Sequence, residues 1–201
     1  MIRFVCVAML LAASPVFAQT PYETAYFDVT GVAPDDTLNI RAEPEAGAEI
    51  IGALTHDAQF VEVTGASGNW VQVSSGERAG WVSSAYLERS DPTWLEAGIP
   101  AGLSCGGTEP FWSAAIGEES FEFSAYWQEP ESVSYRIEAA PRARSIGYPV
   151  FLMLENGGVA ALEPRYCSDG MSDLPHGWTL HIVLPGQYDR ALDGCCSLRR
   201  E

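Results

Sequence analysis

The chain has 201 residues, 47% apolar, 11% aromatic and 19% charged, the composition of a water-soluble globular protein of one or two small domains. Its formal net charge is −16, from 27 acids against 11 bases that are all arginine. That balance argues against nucleic acid, anionic lipid and phosphate-rich polymers as partners, because affinity for them comes mostly from cations meeting phosphates.

The N-terminus reads as a signal peptide over residues 1–18. Arg3 supplies the positive start, Phe4 to Ala13 is almost wholly apolar, and Val16-Phe17-Ala18 puts small residues at −3 and −1 of a cleavage site. The apolar run is shorter than the ~18–20 residues of a membrane-spanning helix, and no interior stretch approaches that length. Cys6 lies too near the start to serve as a lipidation site. The expected product is a free periplasmic or secreted protein with no membrane insertion. Cleavage near Ala18 removes Arg3 and no acid, so −16 becomes −17.

From about residue 25 to 89 the chain is a series of short β-type runs. Thr37 to Arg41 alternates and breaks at Pro44 and Gly47. Glu49–Leu54 and Gln59–Thr64 follow, then a turn at Gly68-Asn69, the run Trp70–Val73, a turn at Gly76 and Gly80-Trp81-Val82. Period-two alternation at roughly ten-residue spacing predicts a small all-β barrel. Six segments in this order resemble the bacterial SH3 (SH3b) domain: Leu38-Asn39-Ile40-Arg41, Ile51-Gly52-Ala53-Leu54, Phe60-Val61-Glu62-Val63, Asn69-Trp70-Val71-Gln72-Val73, Gly80-Trp81-Val82 and Ser84-Ala85-Tyr86-Leu87. The resemblance covers about 65 residues. It implies an SH3-like barrel that binds a cell-wall peptide or an envelope protein and is not itself catalytic. Tyr26, Trp70 and Tyr86 are the candidate groove aromatics, since such rings anchor interfaces. Asn39 and Arg41 read as loop-fixing residues, and Trp81 as core or half-core. Three arginines face eleven acids over residues 22–90, which favours a basic partner over an anionic one.

Residues 90–102, with Asp91-Pro92, Gly98, Pro100 and Gly102, read as a linker. Trp94-Leu95 in its middle is expected to dock on a neighbouring domain.

Residues 103–198 predict a second antiparallel β domain, a barrel or a strongly curved sheet. Its runs are Phe121–Tyr126, Val133–Ile137, Val150–Leu154, Val159–Leu162, Trp178–Leu184 and Leu192–Leu198. Asn156-Gly157-Gly158 is a hairpin turn. Gly107-Thr108-Glu109-Pro110-Phe111-Trp112, Cys167-Ser168-Asp169-Gly170-Met171-Ser172-Asp173 and Leu192-Asp193-Gly194-Cys195-Cys196 resemble an uncharacterised exported bacterial family with GTEPFW-like and CSDGMSD-like motifs. The resemblance implies an envelope location and no established chemistry. Pro175-His176-Gly177-Trp178 stands where members more often carry an Arg- or Tyr-rich proline turn.

Catalytic chemistry finds weak footing. Glu109, Asp169 and Asp173 are available carboxylates, but Asp169 before glycine and Asp173 after serine occupy turn and capping positions. A Cys167–His pair with His176 or His181 is disfavoured because exported cysteines are normally oxidised. His181 lies opposite the row Leu180, Ile182 and Leu184 and reads as a solvated strand residue. Calcium at Asp169 and Asp173 lacks the ligand count of a recognised loop. Zinc lacks a C-x-x-C pair. No catalytic residue, metal or cofactor is therefore expected. The sequence supports a non-enzymatic envelope adaptor. The alternatives are a secreted inhibitor of a cationic enzyme such as a lysozyme, and a cell-wall hydrolase.

Cys105, Cys167, Cys195 and Cys196 read as two disulfides. Neighbouring strand residues face opposite ways, so Cys195 and Cys196 each need a distant partner. Parity with Leu192 and Leu198 puts Cys196 on the apolar face, and the polar turn at Cys167 suits Cys195. This favours Cys167–Cys195 with Cys105–Cys196, and the second family resemblance points the same way. The swapped pairing stays open on the residues alone.

Overall fold

The computed structural model describes residues 24–198, apart from 77, 126, 128–130, 145–146 and 187–189. The signal peptide expected over residues 1–18 lies outside the described residues. Strands make up the regular structure, with one 3-10 turn at Ser84–Tyr86.

The first half holds β1 (Ala25–Val29), β2 (Thr37–Arg41), β3 (Ile50–Thr55), β4 (Val61–Val63), β5 (Gly65–Ser67), β6 (Trp70–Ser75), β7 (Arg78–Ser83) and β8 (Leu87–Ser90). They form two small sheets, ordered β4-β1-β8 and β3-β2-β7-β6-β5. Leu38 and Ile40 alternate into a core shared with Leu54, Val61, Val73 and Val82. Arg41 donates from Nη1 to the Ala48 carbonyl at 2.8 Å and fixes the loop after β2, as its position implied. β1 carries no period-two signal, because Tyr26 and Val29 are its buried residues and they differ in parity.

The second half holds β9 (Leu103–Thr108), β10 (Phe111–Ile116), β11 (Ser120–Ala125), β12 (Ser132–Ala139), β13 (Val150–Leu154), β14 (Val159–Cys167), β15 (His176–Val183) and β16 (Leu192–Leu198). Each pairs antiparallel with the next, and β16 returns to pair with β9, closing an eight-stranded up-and-down barrel. Side chains fill its interior, Phe121, Phe123, Leu162 and Leu180 among them. The Asn156-Gly157-Gly158 turn joins β13 to β14 as expected.

Cys105–Cys196 and Cys167–Cys195 are the disulfides. Cys105 and Cys196 sit opposite each other in the β9–β16 register, so the first bond staples the strands that close the barrel. The second ties the end of β14 to β16. Cys195 is buried as well as Cys196, although it faces the other way.

The segment read as a linker is folded. Leu95 N–H donates to the Ile99 carbonyl at 3.0 Å and Ala101 N–H to Thr93 at 2.8 Å. Leu95 and Ala97 pack on the barrel core, and Ile99 belongs to it. Trp94 stays 42% exposed and lines a cleft with Tyr26 and Trp178, so the leucine is the more deeply docked of the pair.

Candidate binding site at the domain seam

β4 is buried at all three residues. Val61 and Val63 enter the first core, so period-two geometry turns Glu62 outward, toward the barrel. Glu62 is nonetheless only 5% exposed. Its Oε1 accepts from Gly177 N–H at 2.6 Å and from Ser197 Oγ at 3.1 Å, and its Oε2 from Leu198 N–H at 3.2 Å. All three donors belong to the barrel. A fourth hydrogen bond comes from Tyr26, opposite Glu62 in the β1–β4 register. An ionised carboxylate only accepts, and four convergent donors satisfy it where little solvent contact is left.

Tyr26 completes the seam. Its hydroxyl accepts from Trp178 Nε1 at 2.9 Å, leaving its own hydrogen for Glu62. Burial, and then the Glu62 charge, push the phenol far above its ordinary range and keep it a neutral donor. Trp178 lies in the barrel core with its ring edge to Tyr148, centroids 5.5 Å apart. Thr24 Oγ1 donates to the Gly177 carbonyl, and Ser74 Oγ to Pro175 at 3.2 Å. Gly177 is required by close approach. A Cβ there would come within 3.0 Å of the Glu62 carboxyl carbon and would collide with Thr24.

A polar chain leads outward from the seam. His176 Nδ1 lies 2.9 Å from Ser197 Oγ. With the Ser197 hydrogen given to Glu62, Nδ1 is the donor. Burial lowers the His176 pKa, and the Asp169 charge opposes that shift. Asp169 is held below the usual carboxylate range chiefly by Ser172 N–H, and its Oδ1 also accepts from Met171 N–H at 3.0 Å. It therefore caps the turn of the CSDGMSD-like motif. Thr108 Oγ1 donates to the Asp169 carbonyl at 3.0 Å, which brings the GTEPFW-like motif beside it. In that motif Glu109-Pro110 is the two-residue loop of the β9–β10 hairpin. Gly107 and Gly194 leave room for the Trp112 indole, which a Cβ at either position would strike.

Clefts flank the seam. One, about 770 Å³, lies between the end of β3, the loop that follows it, the 92–93 segment and Leu198. A second, about 520 Å³, runs beside the Tyr26–Trp178 bond. A third, about 400 Å³, is lined by Thr108, Asp169, His176 and Ser197.

The three aromatics expected in one groove are not gathered there. Tyr26 is 3% exposed and belongs to the seam, because its strand faces the barrel rather than solvent. Trp70 is half-buried at the start of β6, and Tyr86 is 43% exposed on the 3-10 turn. The Ser84 N–H to Asn69 carbonyl bond, 2.9 Å, draws the backbones leading to these two together. His181 is exposed, as expected, and its Nδ1 meets Asp193 Oδ1 at 2.5 Å. Among the described residues no group of three His, Cys, Asp or Glu side chains is placed to hold a metal ion.

Residues 36–88 match the family model of the bacterial SH3 domain. No curated protein and no solved structure matches the chain. The matched span carries Glu62, Trp70 and Tyr86, while β1 with Tyr26 precedes it. The SH3 domain thus contributes the central acceptor of the seam, and the barrel most of its donors. Sequence reasoning missed Glu62, Gly177 and Ser197. Two signals were present: a lone acid between Val61 and Val63 in an apolar strand, and the departure of residues 175–178 from the pattern of the second resemblance.

Proposed function

We propose that the protein is a non-enzymatic binding protein of the bacterial envelope, in which the SH3 domain and the barrel recognise a cell-wall peptide or an envelope protein as one body. The observation that carries this reading is the bacterial SH3 domain joined to a side-chain-filled barrel through the Glu62 hydrogen bonds. Bacterial SH3 domains are binding modules, and clefts at such a junction offer surface from both partners. Two disulfides suit an oxidising compartment, in keeping with the signal peptide read from the sequence. The direction of the polar chain also supports binding over hydrolysis. Ser197 gives its hydrogen to Glu62 and receives one from His176, the reverse of what an activated serine nucleophile needs.

Affinity capture from native envelope with the full chain tests this reading. Retention on purified sacculi or of a defined envelope protein is expected. Trp70→Ala and Tyr86→Ala, on the SH3 surface, are expected to weaken capture by ~2 kcal/mol each if they anchor the partner, without unfolding the domain. The net charge of −16 favours one second reading, a secreted inhibitor of a cationic enzyme. Inhibition of lysozyme with no retention on sacculi selects it.

A further inference from the structure

We propose that the seam cleft of about 770 Å³ binds an extended peptide bearing a basic side chain, which adds to β3 as an extra strand. The proposal rests on the binding reading above and names its ligand. Among the described residues β3 is an edge strand, with β2 as its one ladder partner. An edge strand presents alternate N–H and C=O groups to whatever lies beside it, and extended peptides bind such edges. The cleft runs along Ala53, Leu54 and Thr55 at the end of this strand. Ala53 and Thr55 are exposed while Leu54 points into the core; the Thr55 carbonyl already accepts from Ala58 N–H at 3.1 Å and the Ile51 carbonyl from Ser75 Oγ at 3.3 Å, so the added strand pairs chiefly at Ala53.

The walls come from both domains. Phe60 supplies the SH3 side. It is the one non-glycine among the described residues with a positive φ, 51°, and its N–H donates to Asp28 Oδ1 at 2.9 Å. An aromatic residue held in that sparsely populated region is aimed by its surroundings and not by its own preference. Leu198 supplies the barrel side, and its N–H donates to Glu62, so the same bond that joins the domains sets the width of the cleft. Half-buried apolar walls beside an exposed strand backbone suit the alternating side chains of an added strand.

Charge selects the peptide. Among the described residues Asp57 is the sole ionisable one lining the cleft. The Thr55 hydroxyl, followed by the Asp57 N–H, holds its carboxylate in the charged form. His56 adds a smaller attraction to the Asp57 carboxylate, and among the described residues no arginine lines the cleft to offset it. A lysine or arginine side chain is therefore attracted, and an acidic one is repelled.

The test screens the full chain against displayed random linear peptides of about nine residues. Enriched peptides are expected to carry lysine or arginine and to slow amide exchange over residues 53–60. N-methylation of alternate amides in a synthetic hit is expected to weaken it about tenfold or more, since it removes the main-chain donors of an added strand. Asp57→Asn is expected to weaken the same hit about fivefold. No enrichment, enrichment of acidic peptides, or a hit indifferent to alternate N-methylation and to Asp57→Asn overturns the proposal. Envelope capture separates the two levels. Capture that persists in Asp57→Asn and in excess hit peptide leaves the binding reading standing and removes the cleft as its site. A hit that behaves as expected without any envelope capture supports the cleft and removes the envelope reading.

Discussion

Glu62 shows how one side chain can join two domains. Two of its four donors, Tyr26 and Gly177, are buried with it, Ser197 and Leu198 are half-buried, and two of the four are backbone N–H groups. Glu62→Ala is expected to destabilise the chain by about 3 kcal/mol, because the buried Gly177 N–H and the half-buried Leu198 N–H lose their acceptor. Trp178→Phe removes one donor and also part of a fully buried indole, so about 2–3 kcal/mol is expected from the lost hydrogen bond and the cavity together. Urea unfolding of both variants measures these losses. His176 adds a pH dependence. Burial lowers its pKa in the folded protein, whereas the unfolded chain takes up its proton near pH 6.5. The unfolded state thus binds more protons just below that pH, and stability falls as the pH drops from about 6.5 toward the folded value. Asp169, Ser197 and, through Ser197, Glu62 are the polar groups facing the ring, and the shift already includes the opposing charge of Asp169. Urea midpoints at pH 7.5 and 5.5 should separate more in the natural chain than in His176→Gln.

At the scale of elements, the barrel depends on a closure that brings its first and last strands together. The Cys105–Cys196 bond spans 91 residues and sits on that closure, while Cys167–Cys195 spans 28. Loop entropy gives each roughly 3–5 kcal/mol, with the longer loop at the upper end. The paired Cys105→Ser, Cys196→Ser variant is therefore expected to lose more stability than Cys167→Ser, Cys195→Ser, by calorimetry of the purified proteins. Strands β11 to β16 were legible because apolar residues alternate in them with few interruptions. β9 and β10 were not, since Gly106, Gly107 and the Glu109-Pro110 loop break the pattern, and the motif they carry drew attention as a possible site. The structure gives that motif a packing role through Trp112. β14 also extends past its apolar run, through Pro164 and a bulge, to Cys167.

At the scale of the molecule, two core clusters lie on either side of the seam. Each half is proposed to fold by itself. A cut before Pro92 is the sound place to separate them, since Ile99 is in the barrel core and the 93–101 segment is hydrogen-bonded within itself. The composition break marked two regions in the sequence, but nothing in it said how they meet. That information is in contacts between residues 115 to 153 positions apart, which no local pattern encodes.

The central claim is that the SH3 domain and the barrel are one body. Residual dipolar couplings of the full chain in a dilute aligned medium test it most directly. A single alignment tensor fitting the amides of both halves is the predicted result, with a second tensor appearing in Glu62→Ala. Two tensors of different magnitude in the natural chain would contradict it, and the shared clefts would go with it.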